Sequence, residues 1–280
     1  MIINSIKKLI PDKMYLQLMY FKHMHRFINF RNPKSFSEKQ QWLKIYNRRE
    51  KYITMVDKYE VRKYIESVIG KEYLVPLVGG PWDNVNEIDI SILPEQFVLK
   101  CSNGHGVEIC HKKSEFDLIN AKKKLDKSLK CNLFWYGREW PYKNSKSRII
   151  AEEYLQRNIV DYKFYCFDGV PTYLFVVTDR HKSHGPYGDL FDMNGKHLNV
   201  IDIDFPNNPK TPSLPVSFEN MKYIAKKLSC GIPFVRIDLY EHQKKPVFGE
   251  ITFFDSSGFA KFRPKEFDYK LGELIKLPKI

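Results

Sequence analysis

Phe234-Val235-Arg236-Ile237-Asp238-Leu239-Tyr240 is followed, after a short loop, by Phe248-Gly249-Glu250-Ile251-Thr252, and these two stretches organise the chain. Both alternate with period two, the pattern of half-buried strands. Val235, Ile237 and Leu239 share one face of the first; Phe234, Arg236, Asp238 and Tyr240 share the other. In the second, Phe248, Glu250 and Thr252 form one face, and Val247, Ile251 and Phe253 the opposite one. With a turn over Glu241 to Pro246 and Glu241 paired with Val247, Asp238 lies across from Glu250 and Arg236 across from Thr252. Directly opposed like charges destabilise a sheet unless something neutralises them. Two carboxylates beside an arginine point to a divalent cation carrying phosphate oxygens, because Mg²⁺ takes a few carboxylates plus substrate phosphate. In that case removing one carboxylate costs the metal-free fold nothing. The other reading is a solvated hairpin face with ordinary salt bridging, and the two strands alone leave both open.

Working outward, the 280 residues allow one or two domains with a substantial core. Hydrophobic residues make up 43% and charged residues 28%, a globular balance. The net charge of +13 suits anionic partners, whether nucleotide phosphates, nucleic acid, acidic glycans or an anionic membrane. Five cysteines without Cys-x-x-Cys spacing read as free thiols, not as a disulfide framework or a zinc site. No apolar run reaches transmembrane length, and the N-terminus lacks a signal-peptide core, so the expected location is the cytoplasm.

Residues 1–30 mix apolar and basic side chains and fit either a helix packed on the following domain or one making peripheral membrane contact. Ser35 or Ser37 caps a helix through Trp42, and Asp57 opens another that ends at Gly70. Leu74 to Val78 reads as a strand entering a Gly79-Gly80-Pro81 turn. Phe97 to Lys100 and Val107 to Cys110 are strands, 114–130 a lysine-rich helix, and 148–155 a strand. Asp161 to Phe167 and Thr172 to Thr178 form a hairpin turning at Asp168-Gly169. Residues 181–215 read as loop, Phe218 to Leu228 as an amphipathic helix, and the end as a loop through Asp255 to Gly258 with a short tail.

Lys100-Cys101-Ser102-Asn103-Gly104-His105-Gly106 joins strand to strand, so it is not a Walker A loop. Its glycines let backbone N–H groups approach phosphate, and Lys100 supplies a point charge. An ordinary hairpin turn has the same composition. Glu152-Glu153-Tyr154-Leu155 offers a strand end able to read an adenine edge, with Asp161 following for a ribose hydroxyl. A surface strand with a solvated Glu153 is the plainer alternative.

Taken in order, these motifs resemble the ATP-grasp fold and, within it, the teichuronopeptide-biosynthesis (TupA-like) family of bacterial surface-polysaccharide genes. The resemblance runs from about Asn32 onward. It rests on Phe36-Ser37-Glu38-Lys39, Trp42-Leu43, Asp57-Lys58, Phe97 to Lys100, Glu152-x-Tyr154-Leu155, Asp161 to Phe164, Val235 to Tyr240 and Phe248 to Thr252. It implies an α+β fold in which two subdomains, 56–155 and 156–280, sandwich ATP after a helical segment, 1–55. It implies that Lys58 and Lys100 touch the phosphates and that Ser102, Asn103, Gly104, His105 and Gly106 cover them. It assigns Glu152, Glu153, Tyr154 and Leu155 to adenine, Asp161 to ribose, and Lys163 to the nucleotide-binding set. Arg236 steadies the transferring phosphoryl group with Lys100, and Asp238, Glu250 and Thr252 hold Mg²⁺. Many ATP-grasp enzymes have Glu-x-Asn where this chain has Glu250-x-Thr252. A Rossmann-like domain ahead of the core has no counterpart here.

The activity so implied is ATP-dependent carboxylate–amine ligation through an acyl phosphate, on a uronic acid or amino-acid substituent of a capsule or O-antigen glycan. A glycosyltransferase is the alternative, and Asp202-Ile203-Asp204 has the spacing of a DxD metal motif. A nucleic-acid-binding module is motivated by charge alone, carries no recognised motif, and is not expected.

Overall fold

The computed structural model describes residues 8–180, 182 and 185–279. Four helices come first: α1 (Asp12–Met24), α2 (Phe36–Tyr46), α3 (Lys51–Val56) and α4 (Val61–Val68). β1 (Leu77–Trp82), β2 (Phe97–Cys101) and β3 (Val107–Cys110) precede α5 (Leu118–Leu129), and β4 (Ile149–Glu153) inserts to give an antiparallel sheet of order β1-β4-β2-β3. β5 (Asp161–Phe167), β6 (Val170–Thr178), β7 (Tyr187–Asp192), β8 (Ile201–Asp202), α6 (Phe218–Leu228), β9 (Val235–His242), β10 (Lys245–Thr252), β11 (Phe262–Arg263) and α7 (Glu266–Leu274) follow. Their main sheet is antiparallel with order β10-β9-β5-β6-β7.

Each sheet has its own core, as two amphipathic layers require. Phe97, Leu99, Ile149 and Ala151 meet Leu125 of α5 under the smaller sheet. The larger core joins Phe164, Ile237 and Leu239 to Met221 and Leu228 of α6, and also to Leu16, Phe36 and Leu43 of the N-terminal helices. Phe36 packs edge-on to Phe234 at 4.8 Å. The start of α2 is fixed by a capping box, in which Ser35 accepts from the Glu38 amide and Glu38 Oε2 accepts from the Ser35 amide at 3.2 Å. Residues 12–46 are therefore part of the wall behind the large sheet. Helix α1 buries Tyr15, Leu16 and Tyr20 and leaves Met14, Leu18 and Phe21 exposed, as is Phe27 beyond it. No helix among the described residues is long and apolar enough to cross a membrane.

The β9–β10 hairpin differs from the sequence expectation at its tip. Gln243 and Lys244 form a two-residue turn, both with positive φ, and Tyr240 rather than Glu241 pairs with Val247. A bulge at Gly249 then inserts one residue, so Asp238 still faces Glu250 and Arg236 still faces Thr252. The same bulge moves Phe248 to the core face opposite Leu239, away from Glu250.

Three other readings are corrected. Gly79-Gly80-Pro81 runs inside β1 and does not turn, since Gly80 (φ 84°) lets the strand pass against β4 where a Cβ would sit 2.8 Å from the Ile149 carbonyl. The 181–215 loop contains β7, whose Asp189 is buried because His197 and Asn207 satisfy it. The tail contains α7, which buries Phe267 and Leu271.

Candidate active site

A cleft of about 760 Å³ lies between the two sheets. Its walls are the cleft-facing ends of β2, β3 and β4 from one side and of β5, β9 and β10 from the other, so opposite ends of the chain meet across it. One end is apolar, with Val75, Val98 and Ile109 beside Glu153, Tyr154 and Leu155. Tyr154 stands edge-on to His111 at 5.0 Å, and its hydroxyl is buried without a hydrogen-bond partner. The other end is charged.

There Lys58, Lys100 and Lys163 converge with Asp161, Asp238 and Glu250. Lys58 directly follows Asp57, whose side chain accepts from Ser102 Oγ at 2.8 Å. The Lys58 amide donates to the Ser102 carbonyl at 2.8 Å, and its Nζ reaches the Gly104 carbonyl at 3.3 Å and Glu250 at 3.6 Å. One lysine thus ties the 102–106 loop to the β9–β10 hairpin. Lys100 Nζ lies 2.5 Å from Glu152 Oε2, and Arg62 lies 3.6 Å from the other oxygen of that carboxylate.

Arg236 is the centre of the charged end. Its Nε and Nη2 donate to the two oxygens of Asp238 at 2.7 and 2.8 Å, and its Nη1 pairs with Asp255. Lys163 donates to Asp238 Oδ2 at 2.5 Å, and Tyr165 donates to Asp255 Oδ2 at 2.5 Å. The opposed carboxylates of the sequence reading are therefore neutralised by the protein's own cations. The expectation that a carboxylate here can be removed without cost to the metal-free fold is corrected for Asp238, whose removal would leave Arg236 and Lys163 without their buried partner. Burial works against ionisation of Glu250, yet Lys58, Lys163 and Arg236 hold its carboxyl well below the usual range. It stays charged, and 37% of its side chain is exposed. Among the described residues no group of three or more His, Cys, Asp or Glu is poised around a metal. What is present is a charged pair able to complete a cation's shell only together with ligand oxygens.

The expected site residues divide between lining and backing positions. Gly104, His105 and Asp161 line the cleft with the residues already named, whereas Ser102, Asn103, Gly106, Glu152, Arg236 and Thr252 are not among its lining residues. Ser102 and Asn103 are buried, and Asp161 is held by Arg180. Arg180, His111 and Tyr240 also line the cleft and were not singled out from sequence. For Arg180 the signal existed: Asp161 pairs with Val177 in the β5–β6 hairpin, which brings the end of β6 beside it. Asp202-Ile203-Asp204 is no part of the cleft, and Asp202 is buried.

A family model described as TupA-like ATP-grasp matches residues 38–276. No curated protein matches the chain. Among solved structures, D-alanine–D-alanine ligase from Helicobacter pylori is similar at 16% identity and TM-score 0.46, over 87% of this chain and 70% of that one. L-amino acid ligase from Bacillus licheniformis is similar at 15% identity and TM-score 0.47, over 84% of this chain and 51% of that one. D-alanine–D-alanine ligase from Bacillus anthracis, complexed with ATP, is similar at 16% identity and TM-score 0.39, over 77% of this chain, which spans only 57% of it. With the match covering both sheets and the cleft between them, the chain belongs to the TupA-like ATP-grasp family.

Proposed function

We propose that the protein is an ATP-dependent carboxylate–amine ligase that forms an amide through an acyl phosphate. The observation that carries this reading is the polarity of the cleft, apolar at one end and at the other lined by three lysines beside the carboxyl groups of Asp238 and Glu250. Such a cleft fits a nucleotide triphosphate lengthwise. Glu153 to Leu155 take the adenine, the partnerless Tyr154 hydroxyl supplying a polar atom there, and Asp161 takes the ribose. Lys58, Lys100, Lys163 and the loop from Ser102 to Gly106 bind the phosphates. Glu152 keeps Lys100 in place through their 2.5 Å contact. Asp238 and Glu250, with Thr252 behind them, would hold Mg²⁺, which neutralises phosphate charge when bound. Arg236, fixed by two aspartates, aims its charge at the transferring phosphoryl group, and catalysis here is mainly positioning and charge neutralisation. The working units are the helical segment 1–55 and the subdomains 56–155 and 156–280.

The acid in this reading is a uronic acid or amino-acid substituent of a capsule or O-antigen glycan, and the basic surface suits it. The protein works in the cytoplasm at the inner face of the membrane, where Met14, Leu18, Phe21 and Phe27 offer an exposed apolar strip next to basic Lys22. Sedimentation with anionic vesicles tests that placement: Phe21→Glu should lower the bound fraction.

ATP with Mg²⁺ should raise the melting temperature, and UDP-sugars should not. At about 100 times the dissociation constant the gain is roughly 2.7 kcal/mol. Stabilisation by UDP-sugars with none by ATP would replace the ligase by the glycosyltransferase.

A further inference from the structure

Asp238, Glu250 and Asp255 are matched by three cations, Arg236, Lys163 and Lys58, and the three are not held equally. Arg236 grips Asp238 with two donors at 2.7 and 2.8 Å and pairs with Asp255 through its third nitrogen. Lys163 donates to Asp238 at 2.5 Å. Lys58 Nζ, by contrast, lies 3.6 Å from Glu250 Oε2 and 3.3 Å from the Gly104 carbonyl. Both distances exceed the spacing of about 2.7–2.9 Å that marks a strong charge-assisted hydrogen bond. Glu250 is held no more tightly elsewhere: its Oε1 lies 3.5 Å from Arg236 Nη2 and accepts from Thr252 Oγ1 at 3.3 Å. Lys58 and Glu250 are therefore the cation and the carboxylate that change partners with least loss.

The Lys58 backbone does not share this freedom. Its amide donates to the Ser102 carbonyl at 2.8 Å. Asp57 before it accepts from Ser102 Oγ at 2.8 Å and from the amides of Tyr59 and Glu60 at 2.8 and 2.9 Å. What can swing is the ammonium on its four-carbon stem. Lys58 and Glu250 both line the cleft, so a ligand lying there reaches the pair directly.

A divalent cation offered by itself meets carboxylates that already have partners. To take Glu250 it must displace Lys58, whose other acceptor among the described residues is the Gly104 carbonyl. The ammonium then stays close to the incoming charge, and like charges a few ångström apart repel strongly where water is partly excluded. A nucleotide removes the conflict. Its phosphates accept from Lys58 and supply the oxygens that complete the cation's shell.

We propose that Lys58 is the counter-ion that excludes free divalent metal from the β9–β10 hairpin: its ammonium holds Glu250 until nucleotide phosphates draw it away, and metal enters with nucleotide. The inference rests on the metal role given to Asp238 and Glu250 and deepens it. No covalent bond is made or broken, since the ammonium passes from carboxylate to phosphate and the cation takes its place. Because the Lys58 amide is bonded to Ser102, release of Glu250 is coupled to the loop that covers the phosphates. One side chain thus sets the selectivity for a metal–nucleotide pair over the metal alone.

The test titrates the full chain, free of nucleotide, with Mn²⁺ and reads the unbound ion by electron paramagnetic resonance. Lys58→Met should bind Mn²⁺ about tenfold more tightly than wild type, the effect of removing a charged competitor, and Lys58→Gln should do the same. Lys58→Arg keeps the charge and should keep the exclusion. Adding Glu250→Gln to Lys58→Met should abolish the gain, which places the ion at the hairpin. Equal Mn²⁺ affinity in wild type and Lys58→Met, a gain that survives Glu250→Gln, or no Mn²⁺ binding by any of these proteins overturns the proposal. A purely structural lysine would lower stability without creating metal affinity. Calorimetry with ATP in EDTA reads the other half: wild type should bind, and Lys58→Met about tenfold more weakly. Unweakened ATP affinity in Lys58→Met overturns the transfer to phosphate. ATP that binds neither protein refutes the ligase reading, while the Mn²⁺ comparison still decides whether Lys58 excludes metal.

Discussion

Arg236 holds Asp238 side-on from two residues away on the same strand face, Nε on one carboxylate oxygen at 2.7 Å and Nη2 on the other at 2.8 Å. This bidentate pair is almost wholly buried, whereas Glu250 opposite it is 37% exposed. The two acids should therefore respond differently to neutralisation. Asp238→Asn strips Arg236 and Lys163 of their buried partner and should cost about 3 kcal/mol of metal-free stability. Glu250→Gln should change stability by less than about 1 kcal/mol and still abolish ATP turnover. Urea unfolding and ADP release measured on both variants check this, and a Glu250→Gln protein with wild-type turnover refutes the metal role.

Lys100→Met keeps the length of the side chain and removes its charge. Glu152 then retains only Arg62, at 3.6 Å, so stability should drop by about 1 kcal/mol. ATP affinity should fall about tenfold or more, because one phosphate partner is gone. Calorimetric titration with ATP reads it directly. Wild-type affinity in the folded variant would return the 102–106 stretch to a plain turn.

Gly249→Ala tests the bulge. An added Cβ would lie 2.9 Å from the Asp238 carbonyl and 3.0 Å from the Tyr240 ring, so backbone has to move. The expected cost is about 1–3 kcal/mol, with turnover falling more than stability explains because the Asp238–Glu250 register is what shifts. Full turnover at unchanged stability would show that the bulge has no part in placing Glu250.

Asp202 gives the fold a pH slope. Burial first, and the Asp255 carboxylate next, push its carboxyl up from 3.8 to about 7. The folded chain thus holds a proton that the unfolded chain has released, so this stabilisation is complete below pH 3.8 and is lost as pH rises through about 7. Asp202→Asn needs no such proton. Relative to wild type its stability should climb between pH 5 and pH 8, by up to about 2.7 kcal/mol. A variant-to-wild-type difference that is the same at both pH values disproves the assignment.

Much of this arrangement was legible in the residues, for local reasons. Alternation in Val235 to Tyr240 put Arg236 and Asp238 on one face, and Ser35 with Glu38 marked the start of α2. Asp168-Gly169 announced a turn that both residues occupy at positive φ. The hairpin tip was not legible, because Gln243 and Lys244 take conformations usually given to Asn-Gly; the sequence pattern therefore predicts a longer turn and sets Phe248 on the other face. The conclusion about Asp238 and Glu250 survived only because the bulge compensates. Strand β7 escaped notice since its buried Asp189 is satisfied by His197 and Asn207, partners that no local pattern reveals. The Lys44 contacts with Gly137 and Ser257 escaped for the same reason, joining three separate segments.

The first helices are fastened by the last one. Ser37 donates its amide and its hydroxyl to the two oxygens of Asp268, each at 2.9 Å across 231 positions of chain, and Tyr20 is bonded to the same hydroxyl. On a ribosome the N-terminal helices emerge early, with Tyr15, Leu16 and Tyr20 still uncovered, and this fastening cannot close until Asp268 has been made. Synthesis therefore leaves a long interval in which a sticky helical segment waits for its partner. Holding chaperones should engage this protein through its first fifty residues, and a nascent chain that stops short of α7 should keep that engagement.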